Sequence, residues 1–162
     1  MLDLDEAPYE EVRDSLNDVA KVNHYLSGYR VLLHHAGKFL KEHQLDCPFT
    51  VLDAATGSAD QPVALVKLAR RLGVPIQITA IDINSKMLKM AKDEICEYPE
   101  IRLVQCDVLA LPFNDEEFDL AVNNLSLHHF TWDNAVAILK SIYKSARLGI
   151  LINDLHRSRI AH

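Results

Sequence analysis

Apolar residues recur at helical spacing through the first part of the chain: Val12, Leu16, Val19 and Ala20, then Val31, Leu32, Ala36, Phe39 and Leu40. Between the two groups lies Asn23-His24-Tyr25-Leu26-Ser27-Gly28, where the glycine punctuates the two expected helices. After Pro48 the period changes. Short β-prone runs over 49–52, 76–81, 101–104, 118–122 and 149–152 alternate with helical stretches over 61–72, closed by Gly73, and after Asn84 and Asp133. Asn84 and Asp133 each precede an apolar-periodic run and are the expected caps of the free backbone N–H groups there. Strands alternating with helices predict βαβ units and so an α/β chain, a Rossmann-like, mostly parallel sheet with helices on both faces and N-terminal helices ahead of it.

Composition narrows the choices. The chain has 162 residues, 49% of them hydrophobic, which suits one structural domain with one substantial core. Its 23 acidic and 17 basic residues leave a net charge of -6, with no broad cationic surface for a phosphate backbone, so nucleic acid is not an expected partner. Cys47, Cys96 and Cys106 show no CxxC spacing and no N-terminal apolar stretch resembles a signal peptide, so a reduced, cytoplasmic setting is expected. Apolar runs such as 120–122 and 148–152 fall far short of the ~20 residues that cross a bilayer, and no membrane span is predicted. Without HExxH or paired-cysteine spacing, no metal is predicted either.

In an open parallel sheet a ligand sits beyond the carboxyl ends of the strands, so the residues that close each strand are the ones to inspect. Strand one ends in Asp53 followed by the small residues Ala54, Ala55, Thr56, Gly57, Ser58 and Ala59, which let the backbone approach a ligand; the alternative is an ordinary tight turn. Strand two ends at Asp82, roughly the ~20 residues beyond that loop at which an acid grips ribose hydroxyls, or else Asp82 caps the following helix. Strand three brings Asp107, either an acceptor for a nucleobase amine or a solvated turn residue. Strand four ends in Asn123-Asn124-Leu125-Ser126-Leu127-His128-His129-Phe130, which sets amides and histidines on the same rim.

The series VLDAATGSAD, AIDIN, QCDVLALPF and EEFDLAVNNLSLHHF resembles, in order and spacing, the motifs of class I S-adenosylmethionine-dependent methyltransferases. It looks closest to the small-molecule branch related to ubiquinone and menaquinone biosynthesis methyltransferases, over roughly 49–154. The resemblance implies S-adenosylmethionine as cofactor and methyl transfer to a small-molecule acceptor of phenol, quinone or polyketide-like type, on oxygen or carbon. It implies that Asp53, Ala55 and Gly57 surround the methionine part, that Asp82 with Ile83 meets the ribose side, that Asp107 and Val108 meet the adenine, and that Asn123 lines the methionine-proximal wall. Two family glycines are Ala55 and Ala59 here. If a hydroxyl is methylated a base must take its proton, and His128 and His129 are the candidates, with His156 after strand five, each alternatively a structural or substrate-shaping residue. Residues 1–47 would be helices that cover the cofactor site and 48–162 the binding core.

Two rival activities fit less well, and a third reading turns on the end of the chain. A nicotinamide-binding domain needs G-x-G-x-x-G, and here Asp60 would face the pyrophosphate. A base-amine methyltransferase carries Asn/Asp-Pro-Pro-aromatic after strand four, where this chain has Asn123-Asn124-Leu125-Ser126. An S-adenosylmethionine-binding module without turnover is the third reading, because the sequence stops at His162 without the hairpin that usually completes such a sheet. Strand five is then an unprotected edge; a truncated chain is the expectation, and a second copy covering the edge, a homodimer, is the alternative.

Overall fold

Strand β1 (Phe49–Ala54) is buried at nearly every position because both of its faces are covered. Phe49 and Val51 join one hydrophobic cluster while Leu52 and Ala54 join another, the period-two alternation of a strand between two layers. In the computed structural model, which describes residues 28–42 and 47–154, β1 is the centre of a five-stranded sheet. The other strands are β2 (Ile76–Asp82), β3 (Ile101–Gln105), β4 (Phe118–Asn124) and β5 (Ala146–Asn153). The order is β3-β2-β1-β4-β5 and every pairing is parallel. The chain runs outward from β1 to β3 and returns on the far side at β4, so the order reverses between β1 and β4, where open sheets form their ligand crevice.

Helices α1 (Gly28–Glu42) and α2 (Asp60–Leu72) supply one layer. Leu32, Ala36 and Leu40, one per turn, enter the cluster of Val51, Val66 and Ile78; Val31, expected on the same stripe, is 53% exposed. Helix α3 (Ser85–Glu94) lies against β2 and β3, and α4 (Trp132–Ser145) covers the opposite face through Ala135, Ile138 and Ile142. Gly73, at φ 71°, closes α2 with its N–H on the carbonyls of Ala69 and Arg70. Asn84 caps α3 as expected, accepting from the amides of Lys86 and Met87. The cap of α4 is Thr131, not Asp133: the Thr131 hydroxyl accepts from the amide of Asn134, and Asp133 lies in the first turn, where its charge suits the helix dipole.

The amino end of the sheet is laced by one carboxylate. Asp119 accepts from the Thr50 amide at 2.9 Å and the Thr50 hydroxyl at 3.1 Å, and pairs with Arg147, so β1, β4 and β5 are joined at their second residues. The strands run longer than the apolar pattern predicts, so that Asp53 and Asp82 are the penultimate and last residues of β1 and β2. The expected helix around Val12–Ala20, together with His24, Tyr25 and His156, lies outside the described residues.

Candidate functional site

From β1 the chain must turn into α2 within a few residues, and it does so by left-handed steps. Ala55 (φ 61°), Gly57 (φ 59°) and Ala59 (φ 64°) all take a conformation that glycine adopts freely and that costs another residue ~1–2 kcal/mol. The turn is held from β2. The Thr56 amide donates to the Ile81 carbonyl at 2.8 Å and the Gly57 amide to Asp82 Oδ2 at 2.8 Å, while Asp82 Oδ1 accepts from the Asn84 amide at 2.9 Å. Asp82 therefore does not cap α3; it clasps the β1 loop to the end of β2. A carboxylate has about four lone-pair directions, so this clasp leaves capacity for a ligand.

Asp53 is 2% exposed. Its Oδ1 accepts from Gln61 Nε2 at 3.0 Å, but Oδ2 has no hydrogen-bond partner, nor do the buried Thr56 Oγ1 and Asn123 Oδ1. Burial first of all raises the Asp53 carboxyl to a pKa of about 7, with the Thr56 side chain offsetting part of the rise and the nearby charge of Asp82 adding to it. Asn123, fully buried at the end of β4, donates Nδ2 to the Ala54 carbonyl at 2.8 Å and to Ser126 Oγ at 2.6 Å, stitching the ends of β1 and β4 together. Buried acceptors are nearly always satisfied in proteins, so unpaired oxygens on the adjoining ends of β1 and β4 mark a place where a donor or cation belongs.

Beyond β2 and β3 the rim turns apolar. Ile83 is 62% exposed and Leu109 41%, whereas Val108 is buried. Gln105 Nε2 donates to the Ile83 carbonyl, and Asp107 Oδ1 accepts from the Leu109 amide at 2.9 Å, the turn-forming role open to it from sequence. On the other side of the crevice a short 3₁₀ turn, Leu127–His129, follows β4. His128 Nδ1 lies 2.7 Å from Asp154 Oδ1, and Asp154 Oδ2 accepts from the Leu127 amide at 2.6 Å. The His129 ring packs on that of His128 with centroids 4.0 Å apart, and partial burial together with His128 holds its pKa below the usual value.

The strand ends thus gather Asp53, Ala55, Gly57, Asp82 and Asn123 at the switch point, Ile83, Asp107 and Val108 on the β2–β3 side, and His128 and His129 on the β4–β5 side. Asp154, the partner of His128, is not among the residues that the motifs single out; its signal is an acid immediately beyond the end of strand five, on the rim where Asp53 and Asp82 close β1 and β2. Among the described residues no group of three or more His, Cys, Asp and Glu side chains could hold a metal ion, and no helix is long and apolar enough to cross a membrane.

A family model described as "Methyltransferase domain" matches residues 51–149. A 2-phytyl-1,4-naphtoquinone methyltransferase of Trichormus variabilis is 34% identical over 113 residues, 67% of this chain and 47% of that protein. A ubiquinone/menaquinone biosynthesis C-methyltransferase of Xylella fastidiosa is 31% identical over 122 residues, 72% of this chain and 46% of that protein. The chain spans about half the length of the curated relatives it matches. Among solved structures, one described as an S-adenosyl-L-methionine-dependent methyltransferase from Methanococcus maripaludis aligns with a TM-score of 0.70 at 19% identity, covering 92% of this chain and 65% of that one, which is a likeness of fold.

Proposed function

The chain belongs to the methyltransferase-domain family, and from that premise we propose that it binds S-adenosylmethionine at the carboxyl ends of β1, β2 and β3 and catalyses methyl transfer to a small-molecule acceptor. The observation that carries this reading is the unpaired oxygen of Asp53. A buried carboxylate short of a donor, beside the unpaired Thr56 and Asn123 oxygens, suits a ligand that brings an ammonium and a sulfonium. Nicotinamide cofactors would bring a pyrophosphate to the same turn, and an acidic lining opposes it.

In this reading Asp53, Ala55 and Gly57 receive the methionyl part, and Asp82 keeps its clasp on Gly57 while accepting from ribose hydroxyls. Ile83 offers an apolar face, Asp107 and Val108 meet the adenine, and Asn123 forms the wall that its bonds to Ala54 and Ser126 make rigid. Ala59 is fully buried, so its methyl group packs inside the protein; Ala55 alone narrows the turn where the family carries glycine. When bound, the cofactor supplies a methyl group already activated on a sulfonium. What remains for the protein is to align donor and acceptor and exclude water. The relatives are named for a naphtoquinone methyltransferase and for ubiquinone/menaquinone biosynthesis, and phenolic, quinone-like or polyketide-like acceptors, methylated on oxygen or carbon, are the class we assign.

The finer assignments follow from the same features. The net charge of -6 leaves nucleic acid out as acceptor. The cysteine pattern, with Cys47, Cys96 and Cys106 all free, fits a cytoplasmic enzyme. Among the described residues β5 ends the sheet, and its outer edge is where a second copy would pair to form a homodimer. Calorimetric titration with S-adenosylmethionine and with NAD tests the core of the proposal: the first binds, the second does not, and Asp82→Ala weakens binding by about 10–100-fold through the lost charged hydrogen bonds. Equal binding of NAD, or an Asp82→Ala protein that binds as the wild type does, overturns it. A turnover assay on phenolic and quinol acceptors separates an enzyme from a module that only binds.

A further inference from the structure

The geometry assigns His128, held by Asp154 in the tautomer that carries its proton on Nδ1, as the base for the methyl acceptor, and so assigns the acceptor to phenols or enols, whose hydroxyl yields a proton as the methyl bond forms. This assignment rests on the methyltransferase reading of the site.

Parallel pairing of β4 with β5 sets Asn124 opposite Asn153, which brings the 3₁₀ turn after β4 beside Asp154 at the end of β5. Asp154 Oδ2 is committed to the Leu127 amide, which can only donate, and Oδ1 faces His128 Nδ1 at 2.7 Å. An ionised carboxylate only accepts, so Nδ1 must carry the ring proton and the lone pair is left on Nε2. That nitrogen has no hydrogen-bond partner among the described residues, and the His128 side chain is 24% exposed, enough for an acceptor to reach it. His129 offers no such arrangement. No hydrogen bond to its ring fixes a tautomer among the described residues, and it packs at a tilt against His128 with its pKa lowered.

In the step, the acceptor oxygen forms its bond to the methyl carbon while its proton passes to His128 Nε2. The carbon–sulfur bond breaks with its electron pair left on sulfur, giving a methyl ether, a neutral thioether and an imidazolium facing the Asp154 carboxylate. The imidazolium then returns its proton to water. Asp154 acts through His128 and is a positioning residue. In Asp154→Asn, the Leu127 amide claims the side-chain oxygen and the new NH₂ faces Nδ1, which drives the ring proton to Nε2 and turns the base into a donor.

Long-range ¹H–¹⁵N spectra of the full chain with S-adenosylhomocysteine read the tautomer directly. The expected result is Nδ1–H for wild-type His128 and Nε2–H in Asp154→Asn; Nε2–H in the wild type, or no change in the variant, overturns the assignment. 4-Nitrophenol, whose anion absorbs near 400 nm, reads the proton transfer without turnover. The wild type should ionise it at least tenfold more than Asp154→Asn or His128→Gln, the latter keeping the Asp154–Leu127 bond and hence the fold, and equal ionisation in all three, or none in the wild type, refutes the base role. Loss of S-adenosylhomocysteine binding by the wild type with the Nδ1–H tautomer intact would instead sink the cofactor reading and leave the dyad standing.

Discussion

Two buried aspartates sit at opposite ends of the same sheet and are treated in opposite ways. Asp119, at the amino end, is 5% exposed; burial alone would raise its pKa, but the Thr50 amide, Arg147 and the Thr50 hydroxyl outweigh that and hold it below the usual carboxylate value. Asp53, at the carboxyl end, is 2% exposed, has Gln61 on one oxygen and nothing on the other, and is raised to about 7. Each Asp is equally natural in a buried strand only if something meets its charge. At the amino end the fold supplies the partner itself, and at the carboxyl end it leaves the partner to be brought in. The first aspartate therefore serves stability, and the second, in the proposed reading, gives up stability for binding.

The largest way to break that contrast is to remove each carboxylate in turn. Asp119→Ala strands the Thr50 amide and frees Arg147, and denaturant unfolding should show a loss of about 2–4 kcal/mol. Asp53→Asn should change stability little near pH 4 and gain it progressively up to about pH 7, above which the wild type carries an uncompensated buried charge. A comparable loss in both variants would erase the distinction.

Titration sharpens it. Because the folded pKa of Asp53 is raised, the folded state without ligand binds more protons than the unfolded chain between about pH 4 and about 7. Its stability should fall there by up to about 1.4 kcal/mol per unit as pH rises. Asp119 has the opposite sign: its contribution is present above the ordinary carboxylate range and disappears as pH drops through its lowered value. A cationic ligand needs Asp53 ionised, so S-adenosylmethionine affinity should rise up to about tenfold per unit toward pH 7 and level off above it, and Asp53→Asn should flatten the curve in calorimetry.

The smallest effect lies in the turn between the strand and α2. Ala55→Gly relieves a left-handed alanine and should add about 0.5–1 kcal/mol in thermal unfolding. Ala59→Gly relieves the same strain but removes a fully buried methyl group, so the two terms should nearly cancel.

Much of this was readable from the residues. Short β-prone runs followed by acids place β1 and β2 and their Asp53 and Asp82, and Asn84 before a helical run is a cap by the ordinary logic of orphan N–H groups. Thr131 escaped notice because Asp133 is also a cap former two residues on, and only the backbone shows where the first helical residue falls. The left-handed turns at Ala55 and Ala59 are hidden because alanine gives no sign of positive φ. The pairing of His128 with Asp154 spans 26 positions and exists only once β4 lies beside β5. What stayed illegible, then, is what depends on tertiary pairing or on a conformation that the residue type disguises.

The proposed binding of S-adenosylmethionine depends most directly on the charge state of Asp53, which ¹³C carboxyl NMR follows through a pH titration. Without ligand the resonance should titrate near 7, and saturating S-adenosylmethionine should move the midpoint down by at least one unit as the cation meets the unpaired oxygen. An ordinary carboxylate midpoint near 3.8 in the free protein, or one that the ligand leaves in place, would contradict it.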